Sequence, residues 1–276
     1  MDIFSAFDGG SCGQLALNKA QVPFGNYFAS EIKKHAIKVT QHNFPNTIQV
    51  GDITKINGKD PMFRNVGLLQ GGSPCQDISN LKPGNNIYDE KSRLFFQFLK
   101  LKEQLNPEFF LLENVVGDKD SINIITDLLG VDPIRINSSL LSFQRRDRYY
   151  WTNIEGVTIP NDKGISFQDF KDLDEEYLDK FKVNKTPSRE IMWGGKCPNV
   201  TYRDKINCIT CKQDRWSNAG LVEYKDFCRY LTRRELELGQ TLPLGYTDIL
   251  SYNQASDIIG DGWTVDVIAH IYSFMK

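Results

Sequence analysis

Val66-Gly67-Leu68-Leu69-Gln70-Gly71-Gly72-Ser73-Pro74-Cys75-Gln76 is the stretch from which the rest of the chain can be read. Its apolar run ends in a glycine pair, the pattern of a buried strand that stops at the rim of a sheet. Pro74 fixes its own φ and removes a backbone donor, so Cys75 is presented on a stiff loop instead of being absorbed into a helix. Open α/β sheets carry their chemistry at the carboxyl ends of their strands, and a thiolate held there is a nucleophile. Cysteine is equally a small apolar filler of cores, so the loop gains its meaning from what surrounds it.

Upstream, residues 2–7 read as a short apolar strand. Asp8-Gly9-Gly10-Ser11-Cys12-Gly13 follows, and Leu15-Ala16-Leu17 opens a helix. Strand, glycine-rich turn and helix form the first unit of a nucleotide-cofactor fold. The turn has neither the dinucleotide glycine spacing nor a Walker lysine, which argues against a pyrophosphate ligand. A second strand, Tyr27-Phe28-Ala29-Ser30, ends in Glu31, where such folds set an acid against a ribose diol. Asp52 follows a third short strand, Ile48-Gln49-Val50-Gly51. A solvated carboxylate is the plain reading of each acid alone; their placement at successive strand ends carries the argument.

Downstream, apolar residues at 94, 95, 98, 101 and 105 have the period of a helix packed on a sheet, spanning Arg93 to Gln104. Phe109-Phe110-Leu111-Leu112 is an uninterrupted apolar strand, expected to be parallel and covered on both faces. It ends in Glu113, a carboxylate on the same side as Cys75 and a candidate acid catalyst. A helix over 121–129 stops at Gly130, and strand character resumes over 134–141. Alternation through Gln144-Arg145-Arg146-Asp147-Arg148 predicts Gln144, Arg146 and Arg148 on one strand face, three long donors suited to an anion or a carbonyl.

The βα rhythm lapses over 152–228, the expected second lobe. Its first half is acidic, which reads as a solvated helix face. Its second half interleaves cations with rings, including Lys205, Lys212, Arg215 and Trp216, as nucleic-acid contact requires. Cys208-Ile209-Thr210-Cys211 suggests a strand more than a zinc site, because a second Cys-x-x-Cys pair is missing. Gly260-Asp261-Gly262-Trp263 then precedes a helix over 264–275.

Composition narrows the class further. The 276 residues allow one large domain or a domain with a smaller lobe, and 40% apolar with 25% charged residues is ordinary for a globular chain. No run is long enough to cross a bilayer, and the N-terminus lacks a secretory pattern, so a cytoplasmic protein is expected. Six scattered cysteines read as reduced thiols, not a disulfide scaffold. A net charge of −2 gives no global pull on nucleic acid, so such binding needs a local basic face.

Taken in order, FDGGSCG, Glu31, Gly51-Asp52-Ile53, GGSPCQDIS, LLENV, QRRDR, RYLTRRELELGQTLP and GDGWTVDVIAHI resemble the DNA cytosine-5 methyltransferases over nearly the whole chain. Details such as RLFFQF and CITCKQDR are most similar to the catalytic domain of eukaryotic de novo enzymes. Two departures stand out: Phe143 where many relatives have proline, and Asp261 where many have another polar group. The resemblance implies an α/β fold with a Rossmann-like S-adenosylmethionine-dependent methyltransferase sheet and a small irregular target-recognition lobe. It divides the chain into a catalytic domain over 1–151, a target-recognition region over 152–228 and a segment over 229–276 that completes the catalytic domain. A chain opening on the glycine motif is expected to be a stand-alone modification enzyme, bacterial or from a phage-infected host.

The implied reaction is methyl transfer to C5 of a flipped cytosine in double-stranded DNA, leaving S-adenosyl-L-homocysteine, with no metal. Cys75 would add to C6, Glu113 would act at N3, Arg148 at O2, and Arg146 beside the nucleophile. Phe7, Asp8, Gly9, Gly10, Cys12, Glu31, Ile32, Asp52, Ile53, Leu94, Asp261 and Trp263 would hold the cofactor. Phe7 would pack on the adenosyl group, Glu31 bind ribose, Asp52 the adenine amine and Trp263 the methionine side. Gln76, Ser79, Lys212, Gln213 and Arg215 would touch DNA. The rivals are a transfer-RNA methyltransferase of the same family and a catalytically silent DNA-binding module. The Cys-Phe-Thr tripeptide of the first is absent, and the second would be expected to lose Cys75, Glu113 or the arginines.

Overall fold

The computed structural model describes residues 1–73, 93–117, 119–213 and 219–275. Cys75, Gln76, Ser79, Arg215 and Trp216 therefore lie outside the described residues. The chain divides into two compact units: Met1–Ile136 with Asp147–Ile159 and Ile268–Lys276, and Asn137–Arg146 with Pro160–Val267. The irregular stretch expected at 152–228 falls mostly in the second unit, which also takes in most of the segment expected to complete the catalytic domain.

The first unit is built on a seven-stranded sheet with the order β3-β2-β1-β4-β5-β7-β6. The strands are β1 (Asp2–Ala6), β2 (Tyr27–Ser30), β3 (Ile48–Gln49), β4 (Val66–Gly72), β5 (Phe109–Val115), β6 (Ile134–Asn137) and β7 (Asp147–Thr152). Helices α1 (Cys12–Lys19), α2 (Lys34–Asn43), α3 (Arg93–Leu105) and α4 (Lys119–Leu129) intervene. β1, β2, β3, β4 and β5 pair in parallel, whereas β5 pairs with β7 antiparallel. β5 is thus flanked by one parallel and one antiparallel neighbour, and Phe110, Leu111 and Leu112 are buried, as its apolar run predicts.

Register sets the rim of the sheet. Ala6 lies opposite Gly71, and Gly72 opposite Glu113, so the carboxyl ends of β1, β4 and β5 arrive together. Beneath them Phe4, Phe28, Leu69, Phe95, Phe98, Phe110 and Trp151 form one buried cluster. Phe63 meets Phe4 and Phe28 edge-on, with centroids 5.3 and 5.1 Å apart, the favoured arrangement of ring quadrupoles. The expected face of α3 is buried through Phe95, Phe98 and Leu101.

The second unit has little sheet. β8 (Val222–Tyr224) and β9 (Phe227–Arg229) form a hairpin, accompanied by α5 (Glu175–Leu178), α6 (Pro187–Gly195), α7 (Arg233–Gly239) and α8 (Tyr252–Asp261). The chain then enters α9 (Val265–Tyr272). Phe143, the residue in place of a proline, is buried and packs on Phe167 and Phe170 at 5.4 and 5.5 Å. A Cβ on Gly239 would meet Ile209 at 2.6 Å and Phe143 at 3.2 Å, so only glycine lets α7 approach this closely. The strand expected around Cys208 is not formed: 207–213 is irregular, and only Ile206 bridges to Gln144.

The motif Arg229-Tyr230-Leu231-Thr232-Arg233-Arg234-Glu235 folds for visible reasons. Thr232 and Glu235 make a reciprocal capping box at the start of α7. The Glu235 carboxylate also accepts from both Arg229 terminal nitrogens, at 2.8 and 2.7 Å, and both side chains are buried. Glu237 accepts from the Gly245 and Thr247 amides at 2.8 Å each and secures the turn after α7.

Candidate active site

At the carboxyl end of β1 the backbone turns through three positive φ angles: 56° at Phe7, 59° at Gly9 and 59° at Ser11. Phe7 and Ser11 carry side chains in a region that favours glycine, so the turn is held by its contacts. One of them is the Gly9 amide, which donates to Glu31 Oε2 at 2.8 Å. Glu31 Oε1 in turn accepts from the Ile32 and Lys33 amides at 2.7 and 2.8 Å. Glu31 therefore ties the loop after β2 to the loop after β1, and Ile32 beside it is 71% exposed.

Asp8 points beneath this turn. It accepts from Tyr27 Oη at 2.7 Å and from the Ser11 hydroxyl, and Ser11 Oγ lies 3.0 Å from Thr40 Oγ1. Burial pushes its carboxyl up to about 6; hydrogen bonds from Ser11, Ser5 and Tyr27 pull the other way, and the Glu31 charge adds to the rise. Gln70 donates to Tyr27 Oη at 2.6 Å and to Ser5 Oγ at 3.1 Å, and it accepts from the Tyr272 hydroxyl. A Cβ on Gly13 would sit 2.1 Å from Gln70 Nε2, so a bare glycine in α1 makes room for this buried chain.

Asp52 caps a short 3-10 turn, accepting from the Thr54 amide at 2.9 Å and its hydroxyl at 2.8 Å. Of the other expected cofactor residues, Ile53 is buried in the core and Leu94 packs against it, while Gly10 and Cys12 are buried in the turn and first helix.

At the end of β5, Arg148 Nε lies 2.9 Å from Glu113 Oε1, and both side chains are largely shielded from water. The next residue, Asn114, donates from Nδ2 to Ser73 O and Ser73 Oγ, both at 2.9 Å. It grips the last described residue before Pro74 and Cys75. Sequence reasoning missed that grip, although Asn114 stands in the same LLENV motif.

The predicted three-donor strand face is not formed, because β7 begins only at Asp147. Gln144 is buried and donates to Gly239 O and Gln240 Oε1, each at 2.6 Å. Arg146 is also buried, donating to Ile209 O at 3.1 Å, Gly260 O at 3.3 Å and Gly262 O at 2.8 Å. Both side chains fasten backbone within the second unit. There Cys208 Sγ meets Arg146, whereas the Cys211 thiol donates to Asp261 at 2.7 Å, so the two sulfurs have different partners. Cys211, Asp257 and Asp261 bring their ligand atoms within 4.8 Å of one another. Trp263 is half-buried, Lys212 is exposed, and Gln213 is buried and donates to Thr210 O at 2.8 Å.

The seven-stranded, mostly parallel sheet has the fold of solved methyltransferases. Residues 1–124 match the model of the C-5 cytosine-specific DNA methylase family. It is 29% identical over 208 residues to the orphan methyltransferase M.Rho11sI of Bacillus phage rho11s, covering 70% of this chain and 41% of that protein. It is 32% identical over 175 residues to the orphan methyltransferase M.SPRI of Bacillus phage SPR, covering 58% and 39%. The aligned part thus spans about two fifths of the length of these curated relatives. In fold it is similar to the S. pombe Dnmt2 methyltransferase, with a TM-score of 0.81, 17% identity and coverage of 99% of this chain and 97% of that one. Among the described residues no helix is long and apolar enough to cross a membrane.

Proposed function

We propose that the chain is a DNA (cytosine-5) methyltransferase that acts on a cytosine flipped out of duplex DNA, through covalent addition of Cys75. The observation that carries this reading is the Glu113–Arg148 pair. A carboxylate beside a guanidinium matches the edge of an N3-protonated cytosine, which offers an N–H to Glu113 and the O2 carbonyl to Arg148. Glu113 also lies opposite Gly72 in the sheet, three residues before Cys75.

The chemistry follows from the base. Addition of the Cys75 thiolate forms an S–C6 bond and moves the C5–C6 π pair onto C5. C5 takes the methyl group, then loses its proton as the S–C6 bond breaks and the double bond returns. Protonation at N3, sustained by Glu113, draws electron density from C6 and favours the first step. Flipping is required because C6 is out of reach inside a duplex.

The donor set around the glycine turn suits S-adenosylmethionine, which supplies the methyl group as an electrophile when bound. A carboxylate oxygen accepts two hydrogen bonds, and Glu31 Oε2 takes one from Gly9, so a ribose hydroxyl is a fitting second donor. Exposed Ile32 offers an apolar surface to a purine, Asp52 a carboxylate to its amine, and Phe7 a ring. The phage relatives support a bacterial or phage-infected cytoplasm and a role in DNA modification.

Transfer of tritiated methyl groups to double-stranded DNA, single-stranded DNA and transfer RNA, run in parallel with wild type and Cys75→Ser, tests the reading. Label on duplex alone, lost in the variant, is expected. Label on transfer RNA alone would establish the RNA reading, and no label on any substrate would point to a silent binding module.

A further inference from the structure

A concavity of about 570 Å³ lies wholly within the second unit, a size that suits a small organic ligand. Three rings in its wall meet edge to face, Phe181 standing 5.0 Å from Tyr177 and 5.1 Å from Tyr252. Lys180 and Lys182, on either side of Phe181 in sequence, are exposed in the same lining. Lys182 lies 3.2 Å from the exposed Asp226, a pairing that water weakens. Lys180 has no acidic partner among the described residues and sits 5.5 Å from the Tyr177 ring centre. The Ser256 hydroxyl, also in the lining, is 2% exposed; its neighbour is the Tyr252 hydroxyl, which donates to Leu231 O, and it makes no hydrogen bond of good geometry among the described residues.

These groups together select a ligand. Rings stack on a flat heterocycle, ammonium groups meet an anion, and a buried hydroxyl needs a polar partner. A bare phosphate would leave the rings and the hydroxyl unused, and a lipid tail would leave the lysines unused. A nucleotide uses all three. We propose that this pocket receives one unpaired nucleotide of the nucleic-acid substrate, its base against the rings, its phosphate on Lys180 and Lys182, and Ser256 bonded to base or sugar. The inference rests on the nucleic-acid reading above. It gives the second unit a contact of its own, made by residues other than Glu113 and Arg148.

The full chain is titrated with cytidine 5′-monophosphate, and with two duplexes that differ only in one unpaired nucleotide. Saturable binding of the mononucleotide is expected, weakened at least about tenfold in the Lys180→Glu/Lys182→Glu double variant, the scale of one hydrogen bond to a charged group. Wild type should prefer the bulged duplex, and the double variant should not. Ser256→Ala, which leaves the charge untouched, should also lower mononucleotide affinity. Absence of saturable binding, or a bulge preference that survives both lysine changes, would overturn the proposal. Mononucleotide binding without a bulge preference would overturn the strand as the source of the nucleotide. A chain that methylated no nucleic acid but kept the lysine-dependent preference would refute the catalytic reading and leave this one standing.

Discussion

Glu113 and Arg148 meet on the diagonal of the antiparallel seam: Arg148 lies opposite Val115, Glu113 opposite Tyr150, and their charged ends close to 2.9 Å. Diagonal neighbours across a seam are within reach only for long side chains, which these two are. Each orients the other, so the carboxylate and guanidinium form a single polar edge.

Exchange of Glu113 for glutamine keeps the shape of that edge and removes its charge and its ability to hold a proton. Glu113→Gln should bind duplex and S-adenosylmethionine as wild type does, while the single-turnover rate of methyl transfer falls about a hundredfold or more, the scale of general acid catalysis. A duplex with 5-fluorocytosine at the target reports the same step, because fluorine blocks the final elimination and traps the Cys75 adduct. Trapping by the variant as fast as by wild type would make Glu113 a structural group at the end of β5.

Arg146 separates two roles cleanly. Its guanidinium is bonded to three carbonyls in the second unit, and its loss takes a donor from each, with Gly262 O keeping Gln240 Nε2 at 3.1 Å. Arg146→Met should lower unfolding stability by about 2–4 kcal/mol, several buried hydrogen bonds' worth, before any effect on rate is considered. Denaturant titration reads this directly. A variant as stable as wild type, yet inactive, would move Arg146 to the reacting centre.

The reading of QRRDR shows where sequence reasoning stops. Parallel strands covered on both faces announce themselves as apolar runs, so β1, β4 and β5 and their rim were legible. Gln144 and Arg146 were not, because a polar residue shows its charge in a sequence but not its partner. Gln144 reaches Gly239, and Tyr272 reaches Gln70 from 202 positions away. Alternation through 144–148 predicts one continuous strand, but the chain passes from the second unit to the first between Arg146 and Asp147. The same blindness applies to RYLTRRELELGQ, where nothing in the pattern marks two of the charges as a fully buried ion pair.

That pair yields a test of coupling. Glu235→Gln leaves the Arg229 charge buried without its counter-ion and should cost about 3–5 kcal/mol. Adding Arg229→Met removes the stranded charge, while the glutamine oxygen can still accept from one of the two amides, Thr232 and Asp172, that Glu235 serves. The double variant should therefore be more stable than Glu235→Gln alone. If the two losses simply add, the charges are not coupled and the capping bonds carry the motif.

Asp8 links the glycine turn after β1 to pH. Its folded carboxyl titrates at about 6 against an ordinary 3.8, chiefly because burial penalises the charge. Between those values the folded chain holds more protons than the unfolded chain, so stability falls as pH rises. The contribution is complete below about pH 4 and gone above about pH 6; two units correspond to about 3 kcal/mol. Tyr27, Gln70 and Tyr272 give the group no positive partner, and Glu31 opposes its ionisation, so the rise has nothing to offset it but hydroxyl hydrogen bonds. Asp8→Asn stays uncharged throughout, and its urea unfolding free energy should lose this slope relative to wild type. The same ionisation places a charge beside the Gly9 turn, so cofactor affinity should change across the same window in wild type and stay flat in Asp8→Asn. Parallel stability profiles for the two proteins between about pH 4 and pH 6 would show that Asp8 titrates as an exposed carboxylate and that the buried chain beneath the turn is not closed in solution.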